Sequence, residues 1–313
     1  MNKSVIKFVP IVISLAGILA YFMVFAYPNS NRKEIVISND AQKAQEKTEE
    51  LSQEPQKNPV VEELIVPKLS RNATQEELEK YDMGELLGEG VSNFRGSPKN
   101  RISNIKTGAS KFNGVLIKPG EEFSFINALG NVDASTGYLP ELVIKPNETI
   151  PEYGGGLCQV STTMFRAALN AGLKITSRFN HAYAVQYYSP IGLDATVYIP
   201  KPDFMFVNDT PNYIFVKTRV EGAQLFFDFY GKSDGRTTKI IGPKVLEKNS
   251  DGSMKTVALQ EVYDAGNNLL RKSEFESNYK SPSLYPHTGE KLTEKPENWS
   301  KKEWKEYKKA NGI

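Results

Sequence analysis

The chain has 313 residues, enough for one large domain or two small ones. Its 39 Lys and Arg side chains nearly balance its 37 Asp and Glu side chains, and the net charge is +2. Nucleic-acid binding needs a clustered basic surface, so we expect no nucleic-acid partner.

The N-terminal segment predicts a membrane anchor. Residues 8–27 are apolar and almost uncharged, and about 20 such residues are enough to span a bilayer. Lys3 and Lys7 precede this run, which predicts a cytoplasmic N-terminus and an extracytoplasmic remainder of the chain. The alternative is a cleaved signal peptide, with its cleavage site near residues 24–26.

Changes in composition divide the chain into five segments. The residues after the apolar run are rich in Glu, Lys, Gln and Ser and cannot bury enough apolar surface to fold. The C-terminal end is rich in Lys and Glu, which is typical of a solvated tail. The predicted segments are an anchor with a short cytoplasmic end (1–28), a disordered linker (29–66), a main folded domain (67–235), a β-rich extension (236–289) and a charged tail (290–313).

Three helices are predicted within the folded part. The sequence Thr-Gln-Glu-Glu at 74–77 fits a capping box that opens a short helix. Apolar residues recur at helical 3-4-3 spacing from Ile102 to Phe112, which predicts an amphipathic helix. A third helix is predicted to follow Cys158 and to end near Gly172.

Short segments rich in β-branched and aromatic residues predict strands. A turn-rich link at 264–268 joins the last two strands as a pair. Helices first and strands afterwards predict an α+β fold, in which the cysteine-bearing helix packs on a mostly antiparallel sheet. The predicted strands are 115–117, 174–179, 183–188, 195–199, 213–220, 224–230, 256–263 and 269–275.

Cys158, the only cysteine of the chain, follows three glycines at the start of a predicted helix. Glycines let the backbone turn sharply and point N–H groups at a ligand. The positive end of the helix dipole lowers the pKa of a thiol at this position. Extracytoplasmic proteins usually carry cysteines in pairs, so this lone thiol is a candidate nucleophile. The alternative is a small buried hydrophobic residue behind a tight turn.

His181 is the candidate base, because an imidazole can hold a thiol as thiolate near neutral pH. Asp194, predicted to begin a strand, is the candidate that orients the imidazole, and Asn180 is a second candidate. The alternatives are a hydrogen-bonded structural histidine and an aspartate that satisfies a turn. His287, in an irregular segment, is expected at the surface.

Further candidates surround the thiol. Backbone N–H groups near Gly155, Gly156 and Cys158, with the Gln159 amide, are expected to bind an oxyanion. Ser161, Thr162 and Tyr183 complete the substrate-binding candidates. One cysteine and two well-separated histidines make a metal site improbable, and no cofactor is expected.

Four motifs in this order resemble the VanW domain family. They lie within residues 82–220 and are much more specific together than any one alone. The chain departs from the family pattern after His181, where a serine often follows and Ala182 stands here. This departure puts a role for that hydroxyl in doubt, but not a role for the imidazole. The motifs are ELLGEG at 85–90, PGEEFSF at 119–125, GGGLCQVST at 154–162 and GLDATV at 192–197.

The resemblance implies an activity. The family includes proteins similar to L,D-transpeptidases, which crosslink peptidoglycan stem peptides at the third-position residue through a cysteine. The expected protein is thus a membrane-anchored enzyme on the cell-wall side, with its catalytic domain at 67–235 and stem peptides as partners. The alternatives are a cysteine endopeptidase or amidase that hydrolyses stem peptides, and a non-enzymatic wall-binding protein with a buried thiol.

Overall fold

The computed structural model describes residues 66–144, 149–285 and 301–311. The predicted anchor at 1–28, all but the last residue of the predicted linker at 29–66, and His287 lie outside the described residues. Among the helices that are described, none is long and apolar enough to cross a membrane.

Local sequence signals position the helices. The Thr74 side chain accepts a hydrogen bond from the Glu77 backbone N–H (3.2 Å), and the Glu77 carboxylate accepts one from the Thr74 N–H (2.7 Å). This capping box confirms the first predicted helix, and the amphipathic and cysteine-bearing helices are confirmed as well. The helices are α1 Gln75–Glu79, α2 Lys99–Phe112, α3 Phe125–Leu129, α4 Leu157–Asn170 and α5 Lys301–Asn311.

Every strand pairing in the described residues is antiparallel. The strands form sheets in the orders β1-β9-β8-β2, β10-β11-β12, β3-β7-β6 and β4-β5. This confirms the predicted α+β class with mostly antiparallel sheets. The strands are β1 Glu85–Asn93, β2 Val115–Ile117, β3 Glu122–Ser124, β4 Pro140–Ile144, β5 Thr149–Tyr153, β6 Lys174–Ser177, β7 Met205–Val207, β8 Ile214–Glu221, β9 Gln224–Gly231, β10 Thr237–Lys248, β11 Met254–Tyr263 and β12 Leu269–Tyr279.

Helix α4 packs against β1 at backbone distance, and glycines make this possible. A Cβ atom at Gly90 would lie 2.0 Å from the Thr163 carbonyl oxygen, and one at Gly88 would lie 2.4 Å from the Ala171 nitrogen. Real Cβ atoms do not approach so closely, so a side chain at either position would push the helix off the strand. The two glycines of the motif at 85–90 therefore determine how closely α4, the helix that carries Cys158, packs on β1.

The core fills the space between α4, α2 and the four-stranded sheet. Apolar side chains of α4 such as Val160 and Met164 are fully buried there, as are Phe227 and Phe229 of β9. Phe112 of α2 stacks on an aromatic ring of α3, with 4.5 Å between ring centroids. The middle of α2 lies beside the start of α4, where a Cβ atom at Gly108 would lie 2.4 Å from Leu157 Cδ2.

Two predicted strands are wrong, and they are the two nearest the site. Residues 186–188 form a 3-10 turn, and residues 195–199 form no strand. The Ala195 N–H and carbonyl are used by the Thr162 and Ser161 hydroxyls of α4 rather than by a neighbouring strand. β-branched and aromatic residues favour strands because they fit a packed surface. In these two segments the same residues pack along the wall of a cavity instead of in a sheet.

The other strand predictions are confirmed with small shifts. The segment 174–179 forms the shorter β6, and the pair joined by the turn at 264–268 forms β11 and β12. Strands β1, β3, β4, β5, β7 and β10 have no counterpart among the predicted strands.

The sheet β10-β11-β12 contacts the cysteine-bearing part of the fold. The Gln260 amide donates to the Leu169 carbonyl at the end of α4 (2.8 Å), and the Lys280 N–H donates to the Ala182 carbonyl (2.8 Å). The second of these contacts holds the residue next to His181. The predicted extension at 236–289 therefore touches the candidate site from outside the predicted main domain.

Candidate active site

A cavity of about 660 Å³ opens beside the N-terminal end of α4. Its walls come from the end of α3, the β4-β5 hairpin, the segment 181–188 and the segment 197–199. Apolar and tyrosine side chains make up most of the lining, and Cys158 and His181 lie together in it. Such a mostly apolar cavity with a few polar groups is typical of a small-molecule or peptide site.

Cys158 is the second residue of α4 and is partly buried. Gly156 caps the helix with a φ of 111°, a left-handed conformation that favours glycine. The thiol Sγ lies 3.5 Å from the Thr196 hydroxyl and 3.4 Å from the Val197 carbonyl oxygen. The helix start and the segment after Asp194 therefore hold the thiol from two sides.

The environment lowers the pKa of the Cys158 thiol. Burial acts to raise this pKa, but the influence of nearby His181 and its charge, with smaller contributions from Thr196 and the Val197 backbone, outweighs burial. A thiolate is the nucleophilic form of cysteine. The site therefore favours the reactive form of its thiol.

His181 is buried, and its two ring nitrogens have different environments. Nδ1 lies 2.6 Å from Asp194 Oδ2, whereas Nε2 has no hydrogen-bond partner among the described residues. The ring stacks on Tyr188, with 4.2 Å between centroids and 15° between planes. A carboxylate on Nδ1 fixes the tautomer and leaves Nε2 for a reacting group.

Burial acts to lower the pKa of His181, but the Asp194 hydrogen bond and the charges of Cys158 and Asp194 raise the pKa to about 9. The raised imidazole pKa and the lowered thiol pKa have one cause in common, because each group favours the charged form of the other. A thiolate beside an imidazolium is the arrangement of an activated cysteine nucleophile.

Four donors surround the Asp194 carboxylate. Oδ2 accepts from the His181 backbone N–H (2.8 Å) as well as from the ring, and Oδ1 accepts from Arg178 Nη2 (3.2 Å) and from the Tyr279 hydroxyl. Burial acts to raise the pKa of Asp194, but the His181 hydrogen bond and charge, with those of Arg178 and Tyr279, hold it well below its usual range. Asp194 is therefore ionised and fixed in orientation.

The predicted backbone donors lie at the helix start. The Leu157 N–H donates to the Gly154 carbonyl and the Gln159 N–H to the Gly156 carbonyl, both at 3.0 Å. Within the described part of the chain, the Cys158 N–H has no acceptor. The same is true of the Gly155 and Gly156 N–H groups, so the Cys158 N–H joins them as a candidate donor to an oxyanion.

Gly155 is needed for packing. A Cβ atom there would lie 2.6 Å from the Glu141 carbonyl oxygen, and the Gly155 carbonyl accepts from Asn104 Nδ2 (3.0 Å). Gly156 lines the cavity and Gly155 does not. The glycine run thus lets β4 approach the start of α4.

Three predicted substrate-binding residues lie off the cavity wall. Gln159 is buried against β1, where its amide donates to the Ser92 hydroxyl (3.1 Å). Ser161 and Thr162 bind the backbone of Ala195 through their hydroxyls (2.6 Å and 3.0 Å). These side chains support the segment that carries Asp194, whereas Tyr183, the fourth such candidate, does line the cavity.

Several residues that hold the site were not predicted. Arg166 donates to the carbonyls of Val91, Tyr188 and Leu193, and Arg178 donates to both the carboxylate and the carbonyl of Asp194. Tyr188 stacks on the imidazole, and Tyr279 reaches Asp194 from the end of β12. Their roles depend on tertiary contacts that no local sequence signal marks.

The fold and this site define a class: an α+β protein with a Cys-His-Asp arrangement at a helix start. Residues 100–230 match the family model described as VanW like protein. Residues 100–230 are therefore a VanW-like domain, which confirms the family resemblance, and three of the four sequence motifs lie within this matched segment.

Two relatives show the same relationship. The chain is 35% identical over 178 residues to the uncharacterized protein YoaR of Bacillus subtilis (strain 168). The aligned residues make up 57% of this chain and 57% of that protein. The chain is 34% identical over 164 residues to the vancomycin B-type resistance protein VanW of Enterococcus faecalis (strain ATCC 700802 / V583). Here the aligned residues make up 51% of this chain and 56% of that protein. The matches thus span slightly more than half of each relative's length. No solved structure gives a significant match.

Proposed function

We propose that this protein is a peptidoglycan-modifying cysteine acyltransferase, an L,D-transpeptidase that crosslinks stem peptides at the third-position residue. The observation that supports this most directly is that Cys158 and His181 line one cavity together while Asp194 holds the imidazole through Nδ1. The VanW family match and a relative named for vancomycin resistance favour a substrate in the bacterial cell wall.

In the first step the Cys158 thiolate attacks the carbonyl carbon of the third stem residue. The Cys158 N–H would stabilise the oxyanion, and the His181 imidazolium would donate its proton to the departing D-alanine amine. The products are a thioester and free D-alanine. Asp194 keeps the imidazole oriented while its charge changes.

In the second step an acceptor amine from a neighbouring stem attacks the thioester. His181 accepts a proton from the amine, the new amide forms, and Cys158 leaves as thiolate. A thiolate is both a good nucleophile and a good leaving group, so a two-step transfer suits this residue. The enzyme returns to its starting state with no other reactant consumed.

The test is incubation of the protein with purified tetrapeptide muropeptides, followed by mass spectrometry. We expect release of D-alanine and dimers joined between two third-position residues, and Cys158→Ala should give neither. Tripeptide monomers without dimers would mean that water is the acceptor, and the reaction would then be hydrolysis rather than crosslinking. Unchanged muropeptides would contradict both and favour a non-enzymatic wall-binding protein.

The proposed location is the outer face of the cell membrane, with residues 1–28 as the anchor. The basic residues before the apolar run favour this orientation. A reporter fused after Ile313 that is active only when translocated should give a signal. If only a cytoplasmic reporter gave a signal, the cell wall would be excluded as the substrate.

A further inference from the structure

Arg101 is a buried cation on the wall of the cavity. It lies on α2 and is 7% exposed. A guanidinium is always charged, and burying a charge without a partner is costly. In the described part of the chain no carboxylate lies within ion-pair distance of Arg101, although its Nη1 donates to the Ser97 hydroxyl (2.8 Å).

The groups around Arg101 hold it in place without neutralising it. The guanidinium lies over the Tyr187 ring, 4.2 Å from the centroid, which fixes its plane. Glu141 lines the same cavity, and burial raises its pKa while the charge of Arg101 acts to lower it, but its carboxylate accepts from the Leu142 N–H (2.9 Å) and forms no ion pair with the guanidinium. The guanidinium therefore keeps donors that are available to a ligand anion.

Arg101 is close to the reacting groups. A Cβ atom at Gly156, two residues before Cys158, would lie 3.0 Å from Arg101 Cγ. Burial raises the pKa of the Tyr188 hydroxyl, and the charge of Arg101 acts against this rise, while the Tyr188 ring stacks on His181. Arg101, Tyr188 and His181 thus share the wall of one cavity.

We propose that Arg101 binds the free carboxylate of the residue that leaves during acyl transfer. This inference rests on the proposed function and gives the donor a chemical class: a peptide whose scissile carbonyl is followed by one residue with a free C-terminal carboxylate. One extended residue spans about 3.3–3.6 Å, so a carboxylate bound beside the thiol lies within one or two residues of the scissile bond. Arginine suits this role because its planar donors match a carboxylate.

The first test uses alkylation of the single cysteine in the full-length protein and needs no peptidoglycan activity. The rate with iodoacetate is divided by the rate with iodoacetamide, which differs from it only in lacking the charge. We expect Arg101→Gln to lower this ratio about tenfold, as loss of a charge-assisted hydrogen bond predicts. Lys106→Gln removes a charge from an exposed position of the same helix and should leave the ratio unchanged.

A second comparison, made on the wild-type protein, tests the proposal even if Arg101→Gln fails to fold. N-acetyl-D-alanine should then protect wild-type Cys158 from iodoacetamide, and N-acetyl-D-alanine amide should not. Equal protection by the two compounds, or protection by neither, overturns the proposal. So does an unchanged alkylation ratio in a folded Arg101→Gln protein.

The source of the carboxylate is identified with tetrapeptide donors. Amidation of the C-terminal D-alanine should raise KM for wild type and have little effect on Arg101→Gln. If amidation of the third-residue side chain has that effect instead, the assignment to the leaving residue is overturned. If no donor reacts but the alkylation ratio behaves as expected, the proposed function fails and the carboxylate site remains.

Discussion

Tyr279, the last residue of β12, donates a hydrogen bond to Asp194, 85 residues earlier in the chain. The same carboxylate holds His181 through its other oxygen. The family match ends at residue 230, so the orientation of the candidate base depends on a residue beyond the matched region.

Removal of the Tyr279 hydroxyl tests this relationship. A hydrogen bond to a charged group contributes about 1.5–3 kcal/mol, so Tyr279→Phe should lower kcat roughly tenfold or more. Asp194→Asn should lower kcat further, because it removes the charge that stabilises the imidazolium. The pH profile should show a lower imidazole pKa in both variants.

The matched control is Tyr263→Phe. Tyr263 is a tyrosine of the neighbouring strand β11, and its hydroxyl donates to Glu261 (2.8 Å) away from the site. Its kcat and pH profile should equal those of wild type. A Tyr279→Phe protein with the wild-type kcat and the wild-type pH profile would show that Tyr279 has no positioning role.

The reactivity of Cys158 should depend on pH in a way that reports its contact with His181. The lowered pKa predicts an iodoacetamide alkylation midpoint below about 8.5, the value of a free thiol. In His181→Ala the burial that raises the pKa remains while the opposing imidazole is lost, so the midpoint should move upward. A midpoint that did not move would mean that the imidazole does not hold the thiolate.

The sequence predicted the thiol and its helix because their signals are local. The glycine run, the cysteine and the apolar spacing of α4 all lie within 154–172, and helical period alone places Val160 and Met164 in the core. The chain offers few candidates for the base and its orienting group, and the structure places His181 in one cavity with Cys158 and Asp194 on the imidazole. The strands expected beside them are absent, because those segments line a cavity and bond to side chains of α4.

Helix geometry explains why Gln159, Ser161 and Thr162 do not line the cavity. Successive residues turn by about 100°, so Gln159 points away from the face that carries Cys158, towards Ser92 of β1. Thr162 lies one turn further along the helix, where its hydroxyl meets Ala195 instead of the cavity. Arg178 and Tyr279 could not be predicted, since only the folded chain brings them to Asp194.

The stability of the protein should depend on Asp194 at acid pH. Its folded-state pKa is depressed, so its contribution is present above the unfolded value of about 3.9 and is lost as pH falls. Asp194→Asn leaves Arg178 without its carboxylate and should cost about 3–5 kcal/mol near neutral pH. The difference from wild type should shrink between about pH 5 and pH 3.

Urea unfolding of wild type and Asp194→Asn across this pH range measures that difference. Asp82→Asn is the control, because Asp82 forms an exposed ion pair with Lys232, and such pairs contribute about 0–1 kcal/mol. A gap between wild type and Asp194→Asn that stayed constant with pH would mean that the ionised carboxylate is not what stabilises the fold.

The last prediction concerns the boundary between the predicted main domain at 67–235 and the extension at 236–289. A chain that ends at Gly235 loses Tyr279 and the Gln260 hydrogen bond to α4. It also loses Phe275, whose ring packs edge-on against Phe165 of α4 with 5.6 Å between centroids. We expect a lower Tm and an alkylation midpoint shifted towards that of a free thiol.

A chain that ends at Tyr285 is the control for this truncation. It keeps β12 and the Lys280 contact with Ala182, and it removes only the residues after the last 3-10 turn. Its Tm and alkylation midpoint should equal those of the full chain, because no contact to Asp194 is lost. If the chain that ends at Gly235 matched this control in both measurements, the segment 67–235 would be an independent domain and the sheet β10-β11-β12 would have no part in activating Cys158.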